Sequence, residues 1–146
     1  MTQRRFWPCL GLLLVSLMVA PGCGKGGINR NAISGAVRCD GQPLDKGAIL
    51  FSPIKGTKAP VTGGAIENGR YQLPRAIGPM EGWYRIEIHT TRKTGKKVAA
   101  PFAQPGKETM IDEYGEGIAA RFNSESTLEV EVKPGDNTAD FDVATQ

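Results

Sequence analysis

The chain of 146 residues is long enough for one ordinary domain. Its 40% hydrophobic and 23% charged residues are those of a globular chain. A formal net charge of +3 gives no strong pull toward nucleic acid, which excludes charge-driven binding of that kind.

The first 22 residues read as a signal peptide. Arg4 and Arg5 form a positive n-region, Phe6 to Ala20 is apolar, and Gly22 precedes Cys23 at a small-residue cleavage point. The apolar run is shorter than the roughly 20 residues a spanning helix needs. Polar Gly24, Lys25, Gly26 and Gly27 follow directly. Cleavage removes Arg4 and Arg5 and takes the 18 basic residues to 16 against 15 acidic ones, a net charge of +1.

Ala20-Pro21-Gly22-Cys23 resembles the bacterial lipobox, with Ala20 where Leu is commonest. That resemblance implies a lipid on the Cys23 thiol. The rival readings are an ordinary cleaved signal peptide and an uncleaved anchor. Cysteine use fits a lipid: Cys9 leaves with the signal peptide, Cys23 is acylated, and Cys39 remains alone beside a turn. A Cys23–Cys39 bridge is the alternative if Cys23 is not acylated. Gly24 is not acidic, which by analogy favours the outer membrane. Residues 23–30 read as a flexible, glycine-rich tether.

From residue 31 the apolar period is two, the period of strands. Ile33, Gly35 and Val37 alternate with Ser34, Ala36 and Arg38, and Asp40-Gly41 turns the chain. Ala48 to Phe51 is a second strand and Val61 to Ile66 a third. Asn68-Gly69 predicts a hairpin, because both central residues of that turn need positive φ. Arg70 to Leu73 returns as the fourth strand. In the fifth, Tyr84, Ile86 and Ile88 point inward, opposite Trp83, Arg85, Glu87 and His89. Residues 93–122 hold no sustained period and read as a long loop, basic at first and acidic later. Leu128, Val130 and Val132 make the sixth strand. Pro134-Gly135-Asp136-Asn137 turns, and Ala139, Phe141 and Val143 face inward in the seventh. Nineteen glycines and ten prolines suit such short strands and frequent turns. Strands with one apolar face each must bury it, so residues 31–146 are expected to be all-β, a seven-stranded sandwich.

Gly35-Ala36-Val37-Arg38-Cys39-Asp40-Gly41-Gln42-Pro43-Leu44 resembles the opening of carboxypeptidase-regulatory-like, transthyretin-like domains. Gly47 to Pro53, Asn68 to Leu73 and Gly78 to Ile86 resemble the segments that follow. Arg121 to Leu128 with Asn137 to Val143 resembles the ending. Together they are similar to small lipoproteins of planctomycete-type bacteria, over residues 33 to 143. The resemblance implies a Greek-key sandwich outside the cytoplasm and no catalytic residues.

The fold also carries a hydroxyisourate hydrolase, whose His/Arg cluster and C-terminal Tyr-Arg-Gly-Ser are absent here. His89 is the sole histidine, so any Ser-His-Asp triad must use it. Zinc finds too few His and Cys ligands. The acids Asp112, Glu113 and Glu116, and the group Asp136, Asn137 and Asp140, lack calcium-loop spacing. No catalytic residue, metal or cofactor is therefore expected. The candidate binding face is Trp83, Arg85, Glu87 and His89, weighed against a Trp83 packed under the long loop. The expected function is a lipid-anchored, non-catalytic envelope module with a protein or polysaccharide partner. The alternative is an extracytoplasmic hydrolase using His89.

Overall fold

A computed structural model describes residues 29–102, 106 and 109–146; residues 1–22, expected as a signal peptide, Cys23, and residues 24–28 of the expected tether lie outside it. Eleven strands follow in order: β1 Ala32–Cys39, β2 Gln42–Pro43, β3 Lys46–Ile54, β4 Thr62–Glu67, β5 Arg70–Leu73 and β6 Gly82–His89, then β7 Thr91–Ala99, β8 Met110–Glu116, β9 Glu129–Val132, β10 Asp136–Thr138 and β11 Phe141–Val143. The one helix among the described residues is a 3₁₀ turn at Ala120–Phe122. None is long and apolar enough to cross a membrane.

Nine strands form one curled sheet in the order β10-β1-β5-β4-β3-β6-β9, with β11 and β2 also on β1. All its pairs are antiparallel except those of β1 with β10 and β11. The second sheet is the β7–β8 ribbon. The fold is thus an all-β sandwich, as the alternation requires. Its described strands number eleven rather than seven. The extra ones are too short or too exposed to leave an apolar period.

The curl folds the inward faces onto one core. Ile33, Val37, Ile49, Phe51, Ile66, Leu73, Tyr84, Ile86, Ile88 and Val132 are at most 1% exposed. Phe51 stands at its centre, with ring centroids 6.0 Å from Tyr71 and 6.2 Å from Tyr84. Both tyrosines keep a polar end satisfied, as buried phenols require. Tyr71 donates to the Ala139 carbonyl at 2.8 Å and Tyr84 to that of Met80 at 3.1 Å. Burial first, and then the charge of Asp140, push the Tyr71 phenol well above its ordinary pKa, so it stays a donor.

The turns follow their residues. Asn68 and Gly69 take φ of 50° and 73°, the left-handed pair that a two-residue hairpin needs. Asp40-Gly41 does the same at 50° and 79°. Gly35 answers to space instead: a Cβ there would stand 1.8 Å from the Ala139 carbonyl oxygen, so β1 accepts the chain leading into β11 only without a side chain. The Pro134–Asn137 turn is tied by Asn137, which accepts from the Lys133 amide at 2.9 Å and donates to the Lys133 carbonyl at 2.8 Å.

Residues 93–122, expected as a loop, instead contain most of the ribbon. β7 pairs with β8 from Thr91–Glu116 to Ala99–Met110, with an irregularity between Lys93 and Lys97. Every residue of β7 is exposed. Neither face is buried, so no alternation of apolar and polar residues marks the strand, and its pairing is invisible to a period-based reading.

Candidate functional site

β6 lies between β3 and β9 in the curled sheet. Its burial alternates: Tyr84, Ile86 and Ile88 are buried, while Trp83, Arg85, Glu87 and His89 are half-exposed on the outer face. Side chains two apart on a strand share a face about 7 Å apart, so these four form a continuous strip. Ile54, Ser52, Leu50 and Ala48 of β3 flank them in that order, and Glu131 and Glu129 of β9 flank Trp83 and Arg85.

At one end Lys55 lies over the Trp83 ring, its Nζ 3.9 Å from the centroid, and is ion-paired with Glu129. The cation covers one ring face. Trp83 is at the end of β6 remote from the start of β7. In the middle, Arg85 donates to Glu87 Oε1 from Nη2 at 2.7 Å and from Nε at 3.2 Å. Ser52 donates to the same oxygen at 3.3 Å.

At the other end His89 lies between two carboxylates. Its Nδ1 is 2.9 Å from Glu116 Oε2, and its Nε2 is 3.9 Å from Glu87 Oε2. Glu116 Oε1 accepts the amides of Thr90 at 3.1 Å, Gly117 at 2.9 Å and Ile118 at 3.0 Å. Glu116 thus ties the root of the ribbon to the end of β6. Burial alone would raise its pKa. The Ile118 amide, His89 and the Thr90 amide outweigh burial and hold the carboxyl below the ordinary glutamate range.

A depressed folded pKa stabilises the fold above the unfolded value and ceases to do so as pH falls through the folded one. Glu116→Gln should therefore melt below wild type at neutral pH, and the gap should close below the ordinary carboxylate range. Thermal melts of both proteins from neutral to acid pH check this. A gap that widens on acidification would contradict the assignment.

The chemistry available to the strip is recognition by an aromatic ring, a guanidinium and carboxylates. An acyl-transfer triad needs a hydroxyl on the histidine nitrogen opposite the acid. Here that nitrogen faces Glu87, and the Thr90 hydroxyl is committed to the Lys46 carbonyl at 2.6 Å. A shallow open cleft of about 510 Å³ lies beside His89 and Glu116, with Lys46 and Asp45 on its other wall.

The acidic groups weighed for calcium do not converge. Asp112 sits with Lys93 at 2.5 Å and Lys97 at 3.5 Å, Glu113 accepts from Thr94, and Glu116 turns to His89. Asp136 meets Arg75, Asn137 closes its turn, and Asp140 accepts the Ala36 amide at 2.7 Å. Burial, with Asp40 beside it, raises the Cys39 thiol pKa and keeps the sulfur protonated.

The structure therefore brings Trp83, Arg85, Glu87 and His89 onto one face, and places Lys55, Glu129 and Glu116 around them. Sequence reasoning missed Lys55 and Glu129, and weighed Glu116 only for calcium. Lys55 stands in a left-handed turn with Gly56, at φ of 51° and 79°, and Lys-Gly is not a strong turn signal. Glu116 closes a ribbon that shows no period. The candidate lipid site, Cys23, lies outside the described residues. Comparison with family models, curated proteins and solved structures gave no match.

Proposed function

We propose that the chain is a non-catalytic module of the bacterial cell envelope, held to a membrane by lipid on Cys23, that binds a protein or polysaccharide on the outer face of β6. The observation that carries this reading is the strip from Trp83 to His89. It is polar, half-buried and fixed on an interior strand, and ion pairs hold its side chains in place before a partner arrives. Such preorganisation lowers the ordering cost of binding. The anchor rests on the signal-like first 22 residues and Cys23. The residue after it, Gly24, favours the outer membrane.

The test is retention of the full chain on purified envelope polysaccharide and on envelope proteins, for wild type, Trp83→Ala and Arg85→Ala. A central aromatic or arginine anchor contributes about 2 kcal/mol or more, so retention should fall by roughly thirtyfold for at least one variant. Gln72→Ala, exposed on β5, should change nothing. Equal retention of all four proteins would refute the face.

The second reading is hydrolysis through His89. What favours it is the Glu116–His89 contact at 2.9 Å, the kind that orients a base; what opposes it is Glu87 on the other nitrogen. A screen of hydrolytic activities that found one lost in His89→Ala would put the enzyme in place of the binder.

A further inference from the structure

We infer that the outer edge of β9 accepts an extended peptide as an added strand, with a basic side chain beside Glu131 and an apolar one beside Val130. β9 is the last strand of the curled sheet. It pairs with β6 on one side and with no described strand on the other.

An antiparallel strand alternates residues that exchange hydrogen bonds with its neighbour and residues whose polar groups point away. The Ile86 amide donates to the Leu128 carbonyl at 2.8 Å, and the register continues through Tyr84–Val130 to Gly82–Val132. Val130 and Val132 therefore direct their backbone groups at β6. Glu129 and Glu131 aim theirs, about 7 Å apart, at the open edge. That is the spacing at which an extended peptide makes its main-chain bonds.

The edge is seated on the core. Val130 faces inward with Tyr84 yet stays half-buried, and Leu128 before it packs only partly against the core. An apolar side chain on an added strand would lie beside Val130 and complete its cover. β7 also has an open edge, but each of its residues is exposed, so a strand added there covers no core. β10, at the other end of the sheet, has only three residues.

On the outer face charge selects the partner. The Glu129 carboxylate is held by Lys55. The Glu131 carboxylate contacts only Lys133 among the described residues, at 4.0 Å, and its side chain is 46% exposed. A lysine or arginine set opposite Glu131 makes a favourable cross-strand pair. A second copy does not: every antiparallel register of Glu129–Val132 on itself sets glutamate opposite glutamate. A register with Lys133 opposite Glu131 needs the Lys133 amide, which donates to Asn137 at 2.9 Å. The occupant is therefore another chain, basic and apolar in alternation. This narrows the partner proposed for the adjoining strip and rests on that partner being a protein.

The test adds a short synthetic peptide alternating lysine and valine to the full chain in neutral detergent. Amide hydrogen exchange is read by NMR within β9 alone, so failure here and failure of the strip are told apart. The Glu129 and Glu131 amides should slow several-fold. Those of Val130 and Val132, already bonded to β6, should not change. A peptide alternating glutamate and valine should bind about tenfold more weakly. Glu131→Lys should reverse that preference. Glu131→Pro removes an amide that β6 does not use, so the sheet should form while peptide binding falls about tenfold or more. If Glu131→Pro does not fold, the preference of Glu131→Lys decides. Unchanged exchange at Glu129 and Glu131, or equal binding of the two peptides, would overturn the inference. Slowing that appears without peptide and grows with protein concentration would overturn it in favour of pairing with a second copy.

Discussion

Ile86→Ala should lower the unfolding free energy by about 2–5 kcal/mol, since the lost transfer energy and the cavity left behind add. Ile86 is fully buried, opposite Phe51 of β3, at the centre of the core. Its backbone is held too: the amide donates to the Leu128 carbonyl at 2.8 Å, and its own carbonyl accepts from the Ser126 hydroxyl. The residue therefore cannot slide to fill the void. A loss of that size is a large part of the roughly 5–15 kcal/mol a domain has. Glu87→Ala, one residue along, should cost about 1 kcal/mol. It removes a partly exposed ion pair with Arg85 and a hydrogen bond from Ser52, but no core volume. From alternation alone Glu87 reads as a bare surface residue; its contacts make it more than that. Denaturant melts of the two variants test the register of β6, because a one-residue slip would exchange the two faces. A larger loss for Glu87→Ala would put the strip in the interior and remove the candidate binding face.

The facing of the strands was legible because burial writes a period of two into the sequence. Tyr84, Ile86 and Ile88 are all buried, and Val130, paired with Tyr84, shares their face. Phe141 joins the same core, 6.2 Å from Tyr71. The Asp40-Gly41 and Asn68-Gly69 turns were legible because few residues accept positive φ. The ribbon was not, since both its faces meet solvent and an apolar pattern is a record of burial. Strands β2 and β10 were not, because two or three residues with none of them buried show no period. The parallel pairing of β10 and β11 on β1 has no local signature at all; it rests on long-range packing, of which Gly35 against Ala139 is the visible trace.

The site was half legible for the same reason. Alternation put Trp83, Arg85, Glu87 and His89 on one face, but it says nothing of neighbours distant in sequence. Lys55 reaches Trp83 from across 28 positions of chain, and Glu116 reaches His89 from across 27. Such partners are fixed by the curl of the sheet and by the return of the ribbon, neither of which a short window contains.

Cys23→Ser should move the protein out of the membrane fraction or leave it unprocessed. A diacylglyceryl group adds two acyl chains, and each buried methylene contributes about 0.8 kcal/mol, so two chains hold where one would be marginal. Residues 23–146 carry a net charge of +1, which supplies no comparable attraction over the whole surface. A lipidated chain should resist salt and yield to detergent. Fractionation in salt and in detergent checks this. The most direct measurement is the intact mass of the membrane-bound form. The expected result is a chain beginning at Cys23 that carries at least the mass of a diacylglyceryl group on that residue. A membrane-bound chain with an unmodified Cys23 would contradict the lipid anchor.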